Sequence, residues 1–402
     1  MDTLNKKEKD VWSKKCSIQG IPFDSLTFVD DIMEVIKNQY DVILSSARLE
    51  VFQGETRLKF KPPKCKIIVM NKIEEIEDKI GQIMLDLVEL HTYLGTIISS
   101  DGSRNEEIKS RVKETNSVCN EIVQILKMTE LAKIRLRYVT LLSNACVDSR
   151  LKYGCAVWNE LDEKQKKDIN GLKMKMMKRV MELPYSTPST AIKYEFGITD
   201  MELDVEMERV MLMCDIMKKD SSVGKQLLQT MRLKQVPGFC HDLEKALQKF
   251  GLADNSEIFT KDNKVVRETI KKKIVEIESG QLALKMLAES KSDRLLLNGY
   301  LFDGKIKKYL LELPFEEARV VFMIRCRMFP TKDNFKGRWG TDCTYCNCPE
   351  TDMHLFACAG YGDLLEGISF DTFILLNSSI DDLSYGARCL IRVKERLELS
   401  NS

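Results

Sequence analysis

The sequence predicts an α+β chain that is mostly α, and three observations carry that prediction. Short β-branched runs bounded by turn residues fill the first hundred positions, as in SIQGIPFDSLTFVDDIMEV at 17–35 and HTYLGTIIS at 91–99. From position 105 onward apolar residues recur at three- and four-residue spacing, the pattern of helices with one buried face. Near the C-terminus a compact set of cysteines and one histidine, CTYCNCPETDMHLFAC at 343–358, departs from both patterns.

Composition limits the alternatives. With 402 residues, 44% hydrophobic and 31% charged, the chain has ample material for a buried core and is neither a coiled-coil rod nor a disordered tail. No apolar run reaches the roughly 18–20 residues of a membrane-spanning helix. The N-terminus, MDTLNKKEKDVWSKKC, lacks the apolar stretch of a signal peptide. An intracellular, reducing location away from membranes is therefore expected, in which clustered cysteines suggest metal and scattered ones suggest core. Lys and Arg number 62 against 61 Asp and Glu, so no uniform basic coat exists. Local surpluses do: 17 basic against 11 acidic residues over 104–182, and six against one over 318–340.

In chain order, residues 1–16 form a polar lead-in. Two apolar runs flank Asp30-Asp31 and predict a β-hairpin with acids at its turn. TRLKFKPPKCKIIVM at 56–70 predicts a Pro-Pro break and then a basic strand, and 91–99 predicts one further strand closed by Ser100-Asp101-Gly102. Helices are expected over 107–128, 131–151 and 163–181. The last carries Ile169, Leu172, Met176 and Val180 on one stripe and ends at Pro184 and Pro188. Residues 200–315 read as helices broken at Pro237-Gly238, Gly251 and Asp303-Gly304. The remainder holds a basic helix, the cysteine cluster and an acidic tail. Boundaries near 102, 200 and 315 then give four segments: 1–102, 103–200, 201–315 and 316–402.

Cys343-x2-Cys346 has the spacing of a zinc knuckle, and His354-x3-Cys358 sets two more ligands one helical turn apart. Four soft ligands in sixteen residues suit a closed structural zinc site, with Cys348 as a competing ligand. The plainer reading is a few buried thiols in a small helical region. Cys16, Cys65, Cys119, Cys146, Cys155, Cys214, Cys240, Cys326 and Cys389 have no ligand spacing and are expected in the core. His91 and His241 stand alone and are expected to be structural or exposed. Met174, Met176, Met177 and Met181 read as adaptable core.

Two basic stretches are candidates for nucleic-acid contact. Over 163–181 these are Lys173, Lys175, Lys178 and Arg179; over 318–340 they are Arg325, Arg327 and Lys336, interleaved with Phe322, Phe329, Phe335 and Trp339. Cations beside aromatics are what phosphate contact and base stacking require. Solvated helix faces over an apolar core would give the same pattern.

Taken in order, these segments resemble the reverse transcriptase of LINE-type (non-LTR) retrotransposons. FVDD at 28–31 looks like that family's palm motif, KPPKCKIIV at 61–69 like its lysine-bearing strand, with Lys64 at the lysine, and YLGTIISSDG at 93–102 like its primer grip. RLKYGCAVWN at 150–159 and LPYSTPSTAIKYEFGI at 183–198 resemble its thumb and extension, and 325–358 its C-terminal Cys-Cys-His-Cys module. The resemblance implies a palm-like β remnant, a helical thumb and extension, a zinc module and an RNA or DNA template–primer as partner. It also implies RNA-directed DNA polymerase chemistry, with Asp30 and Asp31 holding Mg²⁺ ions and Lys64 on nucleic acid.

The family's earlier palm Asp and its fingers lie upstream of FVDD, and only 27 residues precede Phe28. The expectation is thus a C-terminal polymerase portion, inactive alone and needing a missing N-terminal part. The alternative is a non-enzymatic, element-derived nucleic-acid-binding or scaffold protein. The last 44 residues carry no motif of the endonuclease some members have. A hairpin without sheet partners should be the least stable part.

Overall fold

Turn residues set the first elements. Gly20 takes φ +84° between β1 (Cys16–Ile18) and β2 (Ile21–Phe23), which pair antiparallel. The next hairpin joins β3 (Ser25–Phe28) to β4 (Asp31–Glu34), with Phe28 opposite Asp31. The hairpin expected at the acid pair is therefore present, preceded by another. This computed structural model describes residues 16–18, 20–23, 25–28, 31–57, 59, 61, 64–70, 86–128, 135–158, 160–219, 222–234, 238–253, 256–288, 302–334 and 340–400. Asp30 and Lys336 lie outside the described residues, as do Phe335 and Trp339.

An 18-residue helix follows that no apolar stripe announces, α1 (Gln39–Thr56). Its start is fixed by the Asn38 side chain, which accepts from the Asp41 amide at 2.9 Å. Arg57, at φ +61°, closes its end. The strand expected after the Pro-Pro break shrinks to β5 (Lys66–Ile67), parallel to β6 (Asp86–Leu87). The single strand expected over 91–99 is a hairpin, β7 (Leu90–Tyr93) and β8 (Thr96–Ser99). Leu94 and Gly95 both have positive φ, +48° and +75°, which is the two-residue turn that matches the twist of paired strands.

Helices dominate after this point. In chain order they are α2 (Asn105–Leu126), α3 (Arg135–Leu142), α4 (Ser149–Lys152), α5 (Glu163–Val180), α6 (Ser189–Phe196), α7 (Met201–Met217), α8 (Val223–Leu233) and α9 (Phe239–Lys249). They continue with α10 (Asn263–Ala288), α11 (Lys308–Glu312), α12 (Phe315–Arg325), α13 (Asp352–Ala357), α14 (Gly362–Leu365), α15 (Phe370–Leu375) and α16 (Ile380–Ser400). A π-helical turn, Ser143–Asp148, links α3 to α4. The start of α5 is a reciprocal capping box: the Asp162 carboxylate accepts from the Gln165 amide at 2.8 Å, and the Gln165 side chain accepts from the Asp162 amide at 2.9 Å. Its expected stripe, Ile169, Leu172, Met176 and Val180, is buried, each side chain contributing roughly 1.5–3 kcal/mol of burial. Gly251 and Gly304 sit at φ +68° and +67°, at the expected breaks. The acidic tail ends in α16, an amphipathic helix that buries Leu383, Ala387, Leu390, Val393 and Leu397 and packs on α12.

Packing groups the chain into two compact units built from separate stretches. One comprises Met1–Arg111, Gly154–Leu161 and Glu208–Asn263; the other comprises Val112–Tyr153, Asp162–Met207 and Lys264–Ser402. These are not the four consecutive segments expected, because the chain leaves the first unit after Arg111 and returns to it twice. In the first unit every described strand pairs with one partner, giving two-stranded sheets only. Here the Tyr93 hydroxyl donates to the Leu26 carbonyl at 3.4 Å, and Arg209 donates to the Trp158 carbonyl at 2.6 Å. The second unit holds the buried helical core and the cysteine cluster.

Candidate metal centre and basic helix face

The cysteine cluster begins with a tight reversal. Asp342 and Pro349 pair antiparallel, the Cys343 amide donates to the Cys348 carbonyl at 2.8 Å, and the Asn347 amide donates to the Cys343 carbonyl at 3.0 Å. Asn347 takes φ +58°, a conformation its short polar side chain tolerates. This turn aims Cys343 and Cys346 at one point. The Thr351 hydroxyl accepts from the His354 amide at 3.1 Å and caps α13. His354 therefore sits in the first turn of that helix and Cys358 immediately past its end.

The four side chains converge. The Cys343 and Cys358 sulfurs lie 3.9 Å apart, those of Cys346 and Cys358 3.8 Å, and the Cys346 sulfur lies 3.3 Å from Nε2 of His354. All four ligand atoms fall within 4.8 Å of one another, so this Cys₃His set can hold a metal ion. A tetrahedral ion with metal–sulfur bonds of about 2.3 Å would hold its sulfurs about 3.8 Å apart, and the cluster has that spacing. Cys343 and Cys358 are buried, His354 is half-buried and Cys346 is exposed; Cys348, weighed as a rival ligand, stands outside the convergent set. Burial pushes the Cys358 thiol up to about 11, so its thiolate needs a nearby cation to persist at neutral pH.

The frame around the cluster is polar and buried, and sequence spacing gave no sign of it. Glu350 is fully buried; it accepts from the Lys332 amide at 3.0 Å and lies 3.5 Å from the Tyr361 hydroxyl. Lys332 spends its ammonium on the Asp342 carbonyl at 2.7 Å. Asn334 bridges Asp352 and the Phe329 carbonyl at 2.8 and 2.9 Å. Tyr345 meets Tyr361 edge-on at 5.2 Å between ring centres, and Gly360 leaves the space the Tyr345 ring occupies. Arg396, on α16, clamps Asp363 through two bonds of 2.8 and 2.7 Å and also donates to the Gly360 carbonyl.

The scattered cysteines divide by burial. Cys119, Cys155, Cys214, Cys240, Cys326 and Cys389 are buried, Cys65 and Cys146 are half-buried, and the Cys16 side chain lies outside the described residues. Burial pushes the Cys119 thiol up to about 11, as for an inert core residue. His91 is half-buried and His241 exposed, and the four methionines of 174–181 are buried.

The basic candidates separate into two groups. Arg325 corrects the expectation of phosphate contact: it has no exposed surface and binds Glu195 and two backbone carbonyls. Phe322 and Phe329 are likewise fully buried and unavailable for base stacking. Arg327 is half-buried. Lys173 is turned inward, pairing with Asp148 of the π-helical turn. On the outer face of α5, by contrast, Lys164, Lys167, Lys175 and Arg179 are exposed and Lys178 half-exposed, recurring at helical spacing around Gly171. Lys178 lies 5.5 Å from the ring centre of the exposed Tyr185, and Arg179 bonds the Asn120 side chain. Lys164 and Lys167 were not singled out as contact residues; the buried stripe of the same helix would have assigned them to its outer face.

Lys64 is exposed, and Asp31 stands exposed at the start of β4. Among the described residues, Asp31 joins no set of three or more potential metal ligands. No family model, curated protein or solved structure matches the chain. No described helix is long and apolar enough to cross a membrane.

Proposed function

We propose that the chain is the nucleic-acid-gripping portion of a LINE-type reverse transcriptase, holding an RNA or DNA template–primer on the outer face of α5. The observation that supports this reading is the exposed Lys164, Lys167, Lys175 and Arg179 stripe, with Lys178 and Tyr185 at one end. Four or five cations along one helix face track a phosphate backbone, and Asp168 is the one exposed acid among them. The Cys₃His set takes a structural zinc, through Cys343, Cys346, His354 and Cys358. The ion ties the knuckle to α13 and supplies folding energy, with no position left open for substrate. Asp30 and Asp31 are two carboxylates of a nucleotidyl-transfer site whose remaining groups come from a further polymerase portion. The transfer step is not assigned to this chain alone.

The second reading is an element-derived binding or scaffold protein without catalysis, favoured by Asp31 joining no set of three or more potential metal ligands among the described residues. Both readings require salt-sensitive binding. Affinity for an RNA·DNA hybrid, measured between about 50 and 200 mM salt, is expected to fall at least tenfold. Affinity that is flat with salt would remove the grip. Primer extension with Mg²⁺ and an RNA template is expected to give no product; robust synthesis abolished by Asp30→Ala would displace both readings in favour of a competent polymerase.

A further inference from the structure

The cluster contains one thiol more than a tetrahedral ion uses, and that thiol lies on its open side. Of the sulfur ligands, Cys343 and Cys358 are buried, whereas Cys346 is exposed. Cys348, two residues on, is exposed as well. The knuckle keeps them together: the Cys348 carbonyl is held by the Cys343 amide at 2.8 Å, and the single residue between the two cysteines, Asn347, turns the chain at φ +58°. A solvent-borne oxidant therefore meets Cys346 first, with a second thiol in reach. An exposed, reactive cysteine beside a resolving thiol is the arrangement of redox-sensing cysteines.

We propose that Cys346 and Cys348 form a peroxide-sensitive pair whose disulfide removes one ligand from the metal centre and releases the ion. This rests on the zinc reading of the Cys₃His set. In the first step the Cys346 thiolate attacks one oxygen of hydrogen peroxide; an S–O bond forms, the O–O bond breaks and hydroxide leaves, and this sulfur would then no longer serve as a ligand. In the second step the Cys348 thiol attacks the Cys346 sulfenic acid; the S–S bond forms, the S–O bond breaks, and the thiol proton leaves with the hydroxyl as water. Both sulfurs together lose two electrons and the peroxide gains them. A disulfide across three consecutive residues is exposed and strained, so thiol reductants reopen it and restore the fourth ligand. The buried Cys343–Cys358 pair is shielded from the same attack.

The test uses the full chain, loaded with zinc and exposed to hydrogen peroxide. Released zinc is read with a chromophoric chelator and the disulfide is mapped by mass spectrometry. Wild type is expected to release its zinc as a 346–348 disulfide appears, and to rebind it after dithiothreitol. Cys348→Ser, which leaves the four ligands in place, is expected to bind zinc normally and to lose it at least tenfold more slowly. Equal release rates for the two proteins, or a disulfide mapped to 343–358, would overturn the proposal. If the purified wild-type chain holds no zinc, the metal reading alone fails. The pair is then judged on the map, a 346–348 bond supporting it and any other pairing refuting it.

Discussion

Arg325 on α12 donates its Nε to Oε1 of Glu195 on α6 at 2.8 Å, with both side chains fully buried. The same guanidinium donates to the carbonyls of Phe373 and Ile374 at 2.8 and 2.6 Å, so one residue ties α6, α12 and the end of α15. A buried pair of this kind is worth little against an apolar pair of equal volume, but removing one partner strands the other. Arg325→Ala and Glu195→Ala are each expected to cost about 3–5 kcal/mol in urea unfolding, and the double variant less than their sum. Additive losses would mean the two charges do not depend on each other.

The outer face of α5 is expected to set the salt dependence of nucleic-acid binding. Each phosphate contact contributes about 0.7–0.9 to the slope of log affinity against log salt. The triple variant Lys164→Ala, Lys167→Ala, Lys175→Ala should therefore flatten that slope by about 2–3. Lys173→Ala serves as the contrast: its ammonium is engaged with Asp148, so stability should fall while the slope stays as in wild type. A steeper effect from Lys173 than from the triple variant would place the phosphates elsewhere.

Metal removal should act locally. One zinc per chain is expected in elemental analysis, lost in Cys343→Ser and Cys358→Ser and retained in Cys348→Ser. Chelation should raise proteolytic cleavage between 340 and 362 before the helices around α5 and α6 are attacked, because the knuckle has little apolar core of its own. Uniform cleavage across the chain would show that the ion supports more than this module.

Gly360 offers a test of packing beside the ligands. A Cβ built there would lie 2.3 Å from Cγ of Tyr345, well inside contact distance, and the ring is held against Tyr361. Gly360→Ala is expected to cost about 1–3 kcal/mol as an overpacked site. Combining it with Tyr345→Ala should recover part of that loss, since the ring is what the methyl meets. No recovery in thermal unfolding would locate the strain in the backbone instead.

What the sequence showed and what it hid follow from the range of the forces involved. The α5 helix was legible over 163–181 because its stripe and its proline stop are local, although the Asp162 cap was not read. The ligand set was legible because two of its three spacings are turns of knuckle or helix; only the choice between Cys346 and Cys348 needed coordinates. The α1 helix was not legible, because its apolar residues form no stripe and its signal reduces to the Asn38 cap. The reversal at Leu94-Gly95 was hidden inside a β-branched run. Arg325 was misread because a cation in a basic stretch looks solvent-facing until its partner, 130 residues away, is known. Phe322 and Phe329 were misread for the same reason: a basic, aromatic stretch does not say which of its side chains are buried.

The clamp between Asp363 and Arg396 should make the C-terminal brace acid-sensitive. Hydrogen bonds from Arg396 hold the Asp363 carboxyl below the usual carboxylate range. Its pKa is then lower in the folded chain than in the unfolded one, where it is about 3.9. The unfolded chain binds the proton more readily, so the contribution of the pair is complete above that value and is lost as pH falls through the folded one. Asp363 is exposed and Arg396 half-buried, and the effect is accordingly modest. Asp363→Asn removes the charge at every pH, and its melting temperature should lie below that of wild type at pH 7 and converge with it once the pH has fallen below the folded value. Because Arg396 also donates to the Gly360 carbonyl, the loosening should reach the segment beside Tyr345 and Tyr361, read as faster amide exchange there at pH 7. A melting difference that persists unchanged into acid would show that Asp363 acts through packing and not through its charge.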